Sequence, residues 1–80
     1  IEASLFPNPT EGRLTIDIDE PNINYVKFEV VDVQGKVILS SEFNTLITPL
    51  ELDITGADEG VYFLKLSHGT RSKTLKIVKK

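Results

Sequence analysis

The chain has 80 residues, a net charge of −3, one His and no Cys. That length makes one small domain, and its 40% hydrophobic and 26% charged residues exclude the low apolar content of a disordered segment. No apolar run is long enough to cross a bilayer as a helix, and the lack of Cys removes disulfides and thiolate metal sites.

The charge is unevenly spread. Residues 60–80 hold Lys65, Arg71, Lys73, Lys76, Lys79 and Lys80 and no acid, a charge of +6. Residues 1–59 hold three cations and all twelve acids, a charge of −9. The result is a polarised chain with a basic end. It begins at Ile1 rather than Met, with no basic segment followed by an apolar one. It is therefore expected to be a fragment of a longer protein, with any export signal upstream.

In chain order, Ala3-Ser4-Leu5-Phe6 reads as a short first strand. Pro7-Asn8-Pro9-Thr10-Glu11-Gly12 ends it, because neither proline has an N–H for a central ladder. Asn8 suits the first position of a type I turn with Pro9 second, and Gly12 suits a positive φ. Arg13 to Asp19 alternates cleanly, with Leu14, Ile16 and Ile18 inward. Residues 20–24 read as a loop.

Tyr25 to Val33 follows, with Val26, Phe28 and Val30 inward. Asp32-Val33-Gln34-Gly35 is a hairpin turn opened by Asp and closed by Gly. Lys36 to Phe43 returns with weaker alternation, and Val37 and Leu39 are its expected inward pair. Residues 44–49 connect to Leu50-Glu51-Leu52-Asp53-Ile54, whose apolar residues face inward. Asp58-Glu59-Gly60 turns the chain into Gly60-Val61-Tyr62-Phe63-Leu64-Lys65-Leu66.

That run is the most apolar in the chain and predicts a strand buried on both faces at the centre of a sheet. Tyr62, Leu64 and Leu66 share one face; Val61, Phe63 and Lys65 share the other, which is expected to reach solvent near the strand's end. Ser67-His68-Gly69-Thr70 is a tight turn. Arg71 to Lys80 forms the last strand, with Leu75 and Ile77 on its apolar face. No window has helical periodicity. Six or seven short strands at about ten-residue spacing predict an all-β, immunoglobulin-like antiparallel sandwich.

Candidate chemistry is sparse. Asp17, Asp19 and Glu20 supply the oxygens that Ca²⁺ takes, but Asp17 and Asp19 are also the outward positions of an alternating strand. His68 stands without partners at catalytic or metal spacing and reads as a turn residue. No serine has a nucleophile-elbow context, and no Gly-rich phosphate loop occurs. No catalytic residue, metal site or cofactor is predicted, and an enzyme is not expected. The basic end lacks the interleaved aromatics of a single-strand nucleic-acid binder, and the domain as a whole is acidic. Its cations are expected to face carboxylates across the sheet.

Four stretches in order carry a resemblance. They are Leu5-Phe6-Pro7-Asn8-Pro9-Thr10-Glu11-Gly12, Val31-Asp32-Val33-Gln34-Gly35-Lys36-Val37, Gly60-Val61-Tyr62-Phe63-Leu64-Lys65-Leu66 and Lys76-Ile77-Val78-Lys79-Lys80. Together they resemble the type A C-terminal sorting domain of the type IX (Por) secretion system of Bacteroidetes, over essentially the whole of residues 1–80. The resemblance implies a folded address on an upstream cargo domain, read by an outer-membrane translocon. It further implies removal by a sortase-like peptidase at or before the first residues. On this resemblance the cargo is expected to pass through the periplasm to the cell surface or the medium.

Pro7, Asn8, Pro9 and Gly12 match the first family motif; Asp32, Gly35 and Lys36 match the second. Gly60 and Tyr62 match the third, and Lys76, Lys79 and Lys80 the basic end. Turn geometry explains the glycines and prolines, while Lys36 and the terminal lysines are the expected contacts of a partner. Lys79 and Lys80 are expected to stand exposed at the tip of the last strand. The alternative is an immunoglobulin- or fibronectin-like accessory module binding carbohydrate or a protein surface, for which Tyr25 and Phe43 are the candidate exposed aromatics.

Overall fold

A strand with alternating apolar and polar residues has one face to cover, and a chain of such strands covers them by facing two sheets. The computed structural model describes residues 1–19, 24–44 and 49–80, which form seven strands and no helix. The loop expected at residues 20–24 and the connection at 44–49 fall largely on residues 20–23 and 45–48, outside the described residues, as does Glu20.

β1 (Ala3–Phe6), β2 (Arg13–Ile18) and β5 (Leu50–Asp53) make one sheet in the order β1-β2-β5. β3 (Tyr25–Asp32), β4 (Val37–Asn44), β6 (Gly60–His68) and β7 (Arg71–Lys79) make the other, in the order β4-β3-β6-β7. Every strand pair is antiparallel. This is the expected immunoglobulin-like sandwich, with β6 inside its sheet; β6 is buried on one face only, because its outer side, with Val61 and Phe63 half-buried and Lys65 exposed, has no second layer over it. The sandwich differs from the constant-type immunoglobulin arrangement in one respect: the fourth strand pairs with the third rather than joining the first, second and fifth.

The core lies between the sheets. All the expected inward residues of β2, β3, β5 and β6, together with Ile54, are buried except Leu50, which is half-buried against the cluster. Cross-strand neighbours hold them in register: Leu14 faces Leu52, Val30 faces Leu64, and Tyr62 faces Ile77. Each such aliphatic side chain contributes about 1.5–3 kcal/mol by leaving water.

β4 departs from expectation. Val37 is 44% exposed, whereas Phe43 is buried with its ring 5.7 Å from that of Phe28. The cause is a bulge: Val30 pairs with Leu39 and Val31 with Val37, so Ile38 has no opposite number. One extra residue reverses the faces of a strand. Leu39 and Phe43 therefore face inward, while Val37 turns out. Phe43 is accordingly no surface aromatic; Tyr25, at 48% exposure, is one.

Two expected turns form, the β6–β7 turn one residue later than Ser67–Thr70, so that Ser67 and His68 belong to the strand. The β6–β7 hairpin closes on the pair His68–Arg71 around Gly69 and Thr70. In the β3–β4 hairpin Gly35 donates to the Asp32 carbonyl at 3.0 Å and takes a φ of +85°. This is a three-residue loop with a left-handed closing residue. Residues 7–9 differ from the expected type I turn. They form an open bend in which both X–Pro bonds, Phe6–Pro7 and Asn8–Pro9, are cis.

Candidate functional site

β7 is the last strand of its sheet, so alternate backbone groups on its outer side have no strand to receive them. The segment after β1 fills that place. The Asn8 side chain donates through Nδ2 to the Lys76 carbonyl and accepts from the Val78 N–H through Oδ1, each at 2.8 Å. Two residues on, the Thr10 N–H donates to the Val78 carbonyl and the Lys80 N–H donates to the Thr10 carbonyl, both at 2.8 Å, as a parallel bridge. Pro7 and Pro9 lack N–H groups and sit exposed on either side of Asn8, leaving its amide to do the pairing.

Thr10 is buried and serves both directions of the loop. Its Oγ1 donates to the Arg13 carbonyl at 2.7 Å and accepts from the Gly12 N–H at 3.0 Å. Gly12, at φ +143°, lies against Thr55: a Cβ there would stand 2.6 Å from the Thr55 Cα. Only glycine permits that approach. The Gly12 carbonyl accepts from the Ile54 N–H at 2.8 Å, which ties the loop to the end of β5. Pro7, Pro9, Arg13, Thr55 and Lys80 help to line a cleft of about 530 Å³.

The second cluster is built on the β3–β4 hairpin. Asp32 Oδ1 accepts from the N–H groups of Gln34 and Lys36, both at 2.9 Å, which fixes the loop. The exposed Lys36 side chain lines a groove of about 440 Å³ with Asp32, Ile38, Asp53, Asp58 and Tyr62. The Thr55 hydroxyl, at 2.6 Å, holds the Asp53 carboxyl below the ordinary aspartate range, helped by the Thr55 N–H at 2.9 Å and by the charge of Arg13. Tyr62 is buried, and its hydroxyl donates to the Asp58 carbonyl at 2.7 Å. A tyrosine near the start of a strand that bonds back to the preceding corner is a feature of immunoglobulin-like sandwiches.

Register brings these clusters to one end of the four-stranded sheet. Asp32 faces Tyr62, Tyr62 faces Ile77, and the exposed Gly60 faces Lys79. One expectation is corrected here. Lys80 and Lys76 are exposed, but Lys79 is only 8% exposed, with its Nζ 3.3 Å from the Lys80 carbonyl. Strand alternation places Lys79 on the inner face with Ile77, where its four-carbon stem covers the end of the core.

The remaining candidates lie elsewhere. His68 is at the opposite end of β6, its Nδ1 2.9 Å from the Tyr25 carbonyl and its ring edge-on to Tyr25 at 5.1 Å. Asp17 and Asp19 are exposed, and among the described residues no three His, Cys, Asp or Glu side chains gather as metal ligands. Lys27 and Glu42 pair across β3 and β4 at 3.9 Å, both more than half exposed, a contact of little energy.

Sequence reading missed the structural parts played by Asn8, Thr10 and Asp58. The available signal was a lone amide side chain between two prolines, followed by a threonine, since such side chains replace backbone partners where the ladder is interrupted.

A family model for the secretion system C-terminal sorting domain matches residues 4–80. No curated protein matches the chain. The matched family is one of sorting signals rather than enzymes, and it implies a secretion-system context with export through the type IX system. With nearly every residue of the sandwich inside the match, the chain belongs to the C-terminal sorting domain family of type IX secretion.

Proposed function

We propose that this sandwich is an export address that the type IX outer-membrane translocon reads on its cargo, and that a sortase-like peptidase then removes it. The observation that carries the reading is the bond pair from Asn8 to Lys76 and Val78. It supports a signal made only by the folded domain, because it assembles the first and last family motifs from opposite ends of the sequence. Such a module suits a transporter that must accept unrelated cargos. Lys36, Lys76 and Lys80 are among the exposed cations near the assembled motifs. Pro7, Asn8, Pro9, Gly12, Asp32, Gly35, Gly60, Tyr62 and Lys79 build the frame that presents them.

The test is a fluorescent reporter with a periplasmic signal at its N-terminus and residues 1–80 at its C-terminus, expressed in a bacterium with a type IX system. The expected result is reporter at the cell surface or in the medium, freed of the domain. Retention of the intact fusion in the periplasm overturns the reading.

A further inference from the structure

The outer face of the four-stranded sheet carries an apolar strip that the core does not use. Register places Val37, Val31 and Phe63 side by side across β4, β3 and β6, with Lys76 next on β7. One step along, Val61 faces Val78 on the same side. Val31 is only 4% exposed although it points away from the core cluster, so its outward neighbours cover it. Val37 at 44% remains open to solvent on the strip, as does Val33 at 71% in the loop that joins β3 to β4. Three interstrand gaps make the strip about 14 Å across.

Strands that face water on one side normally carry polar residues there, and a contiguous apolar patch on a small domain marks a contact surface. The charge beside this one is biased. Lys65 and Lys76 stand on the face and Lys80 follows Val78 along the same edge; of the two carboxylates that the described strands carry on this side, Glu29 lies opposite Lys65, and Glu42, farther along, is already paired with Lys27.

We infer that this face docks a folded protein partner whose contact surface is apolar and bordered by carboxylates. The inference rests on the export reading and assigns that partner to the transport machinery. A second copy of this chain is a poor occupant, because it would bring lysines against lysines. A lipid surface is also a poor one: the exposed residues are short valines, and Phe63 is half-buried within the sheet. Side chains that anchor in a membrane interface are long or aromatic.

The test uses the reporter fusion with Val33→Glu plus Val37→Glu, with Lys76→Glu, and with Thr70→Glu as a control in the distant β6–β7 turn. With melting temperatures unchanged, the first two variants are expected to lower export at least about tenfold, as loss of an interface anchor does, and the control to leave it intact. Should the glutamates impair folding, Val33→Ser with Val37→Thr replaces them and carries the same expectation in weaker form. Equal export of all variants overturns the inference and leaves the export reading standing, whereas failure of the unmodified fusion removes both. Binding of the isolated domain to phosphatidylglycerol vesicles that Val33→Glu abolishes would assign the face to lipid instead. A dimer in analytical ultracentrifugation that the same variant dissolves would assign it to a second copy. Either result overturns the proposal.

Discussion

Asn8 and Val78 are 70 residues apart in the sequence and joined by one hydrogen bond of 2.8 Å, from the Val78 N–H to the Asn8 side-chain oxygen. The same amide donates to Lys76, so this side chain and the Thr10 backbone together stand in for the strand that the edge of β7 lacks. Removing the amide should loosen β7 without touching the core. Asn8→Ala is expected to cost about 1–3 kcal/mol, two hydrogen bonds at their usual net worth. Hydrogen exchange should show the Val78 amide losing protection while Leu64 keeps its own. Asn8→Asp retains the acceptor but sets a carboxylate against the Lys76 carbonyl, and should be nearly as costly as Asn8→Ala.

The two terminal lysines should separate cleanly. Lys79→Ala removes a stem that covers the end of the core and is expected to destabilise by about 1–2 kcal/mol. Lys80→Ala, at an exposed position, should stay within about 0.5 kcal/mol. Urea denaturation of the two variants checks this, and equal midpoints would refute the burial of Lys79.

Gly12 and Gly35 offer a graded comparison. Both hold positive φ, at +143° and +85°, but only Gly12 has a neighbour where a Cβ would go. Gly35→Ala should therefore cost about 1 kcal/mol from the backbone alone. Gly12→Ala meets the Thr55 backbone as well and should cost more than about 2 kcal/mol. Thermal melts of the pair would expose any reversal of that order.

Asp53 gives a prediction in pH. Its folded pKa is depressed, first by the Thr55 hydroxyl and then by the Thr55 N–H. The carboxylate form is thus favoured in the folded state. Its contribution is fully present above the unfolded pKa and is lost as pH falls through the lower folded value. An NMR titration should find the Asp53 midpoint below the ordinary aspartate value, and Thr55→Val should raise it.

In the core, Leu64 is fully buried and faces Val30 and Leu75 on neighbouring strands. Leu64→Ala is expected to cost about 2–5 kcal/mol. For an 80-residue domain holding roughly 4–12 kcal/mol in total, that would leave a measurable unfolded population by circular dichroism at elevated temperature.

Alternation made most of the sandwich readable. Leu14-Thr15-Ile16-Asp17-Ile18 and Val26-Lys27-Phe28-Glu29-Val30 each state a buried and a wet face, and both hold in the fold. β4 was legible as a strand but not in its faces, because the bulge at Ile38 leaves no mark in a run of three aliphatic residues. The Asp32–Gly35 turn was legible because its residue types serve local bonds. The clamp at Asn8 was not, because its partners are main-chain groups of residues 76 and 78, whose side chains say nothing of what their backbones accept. Lys79 was misread for a related reason. A lysine at a strand end looks solvated, and only the inward position of Ile77 two residues earlier reveals otherwise.

The parallel bridge between Thr10 and Lys79 also decides how the domain meets mechanical force. Tension between the two ends of the chain passes from residue 80 across the bridge to Thr10 and back along the first strand to residue 1. The neighbouring strands run in the same direction and are pulled in opposite senses, so their hydrogen bonds are sheared together rather than unzipped one by one. Until that clamp breaks, β2 to β6 lie off the most direct path of load between the two ends. A transporter hauling on either end would therefore meet its main resistance at the Asn8–Thr10 segment, before any strand of the core had moved.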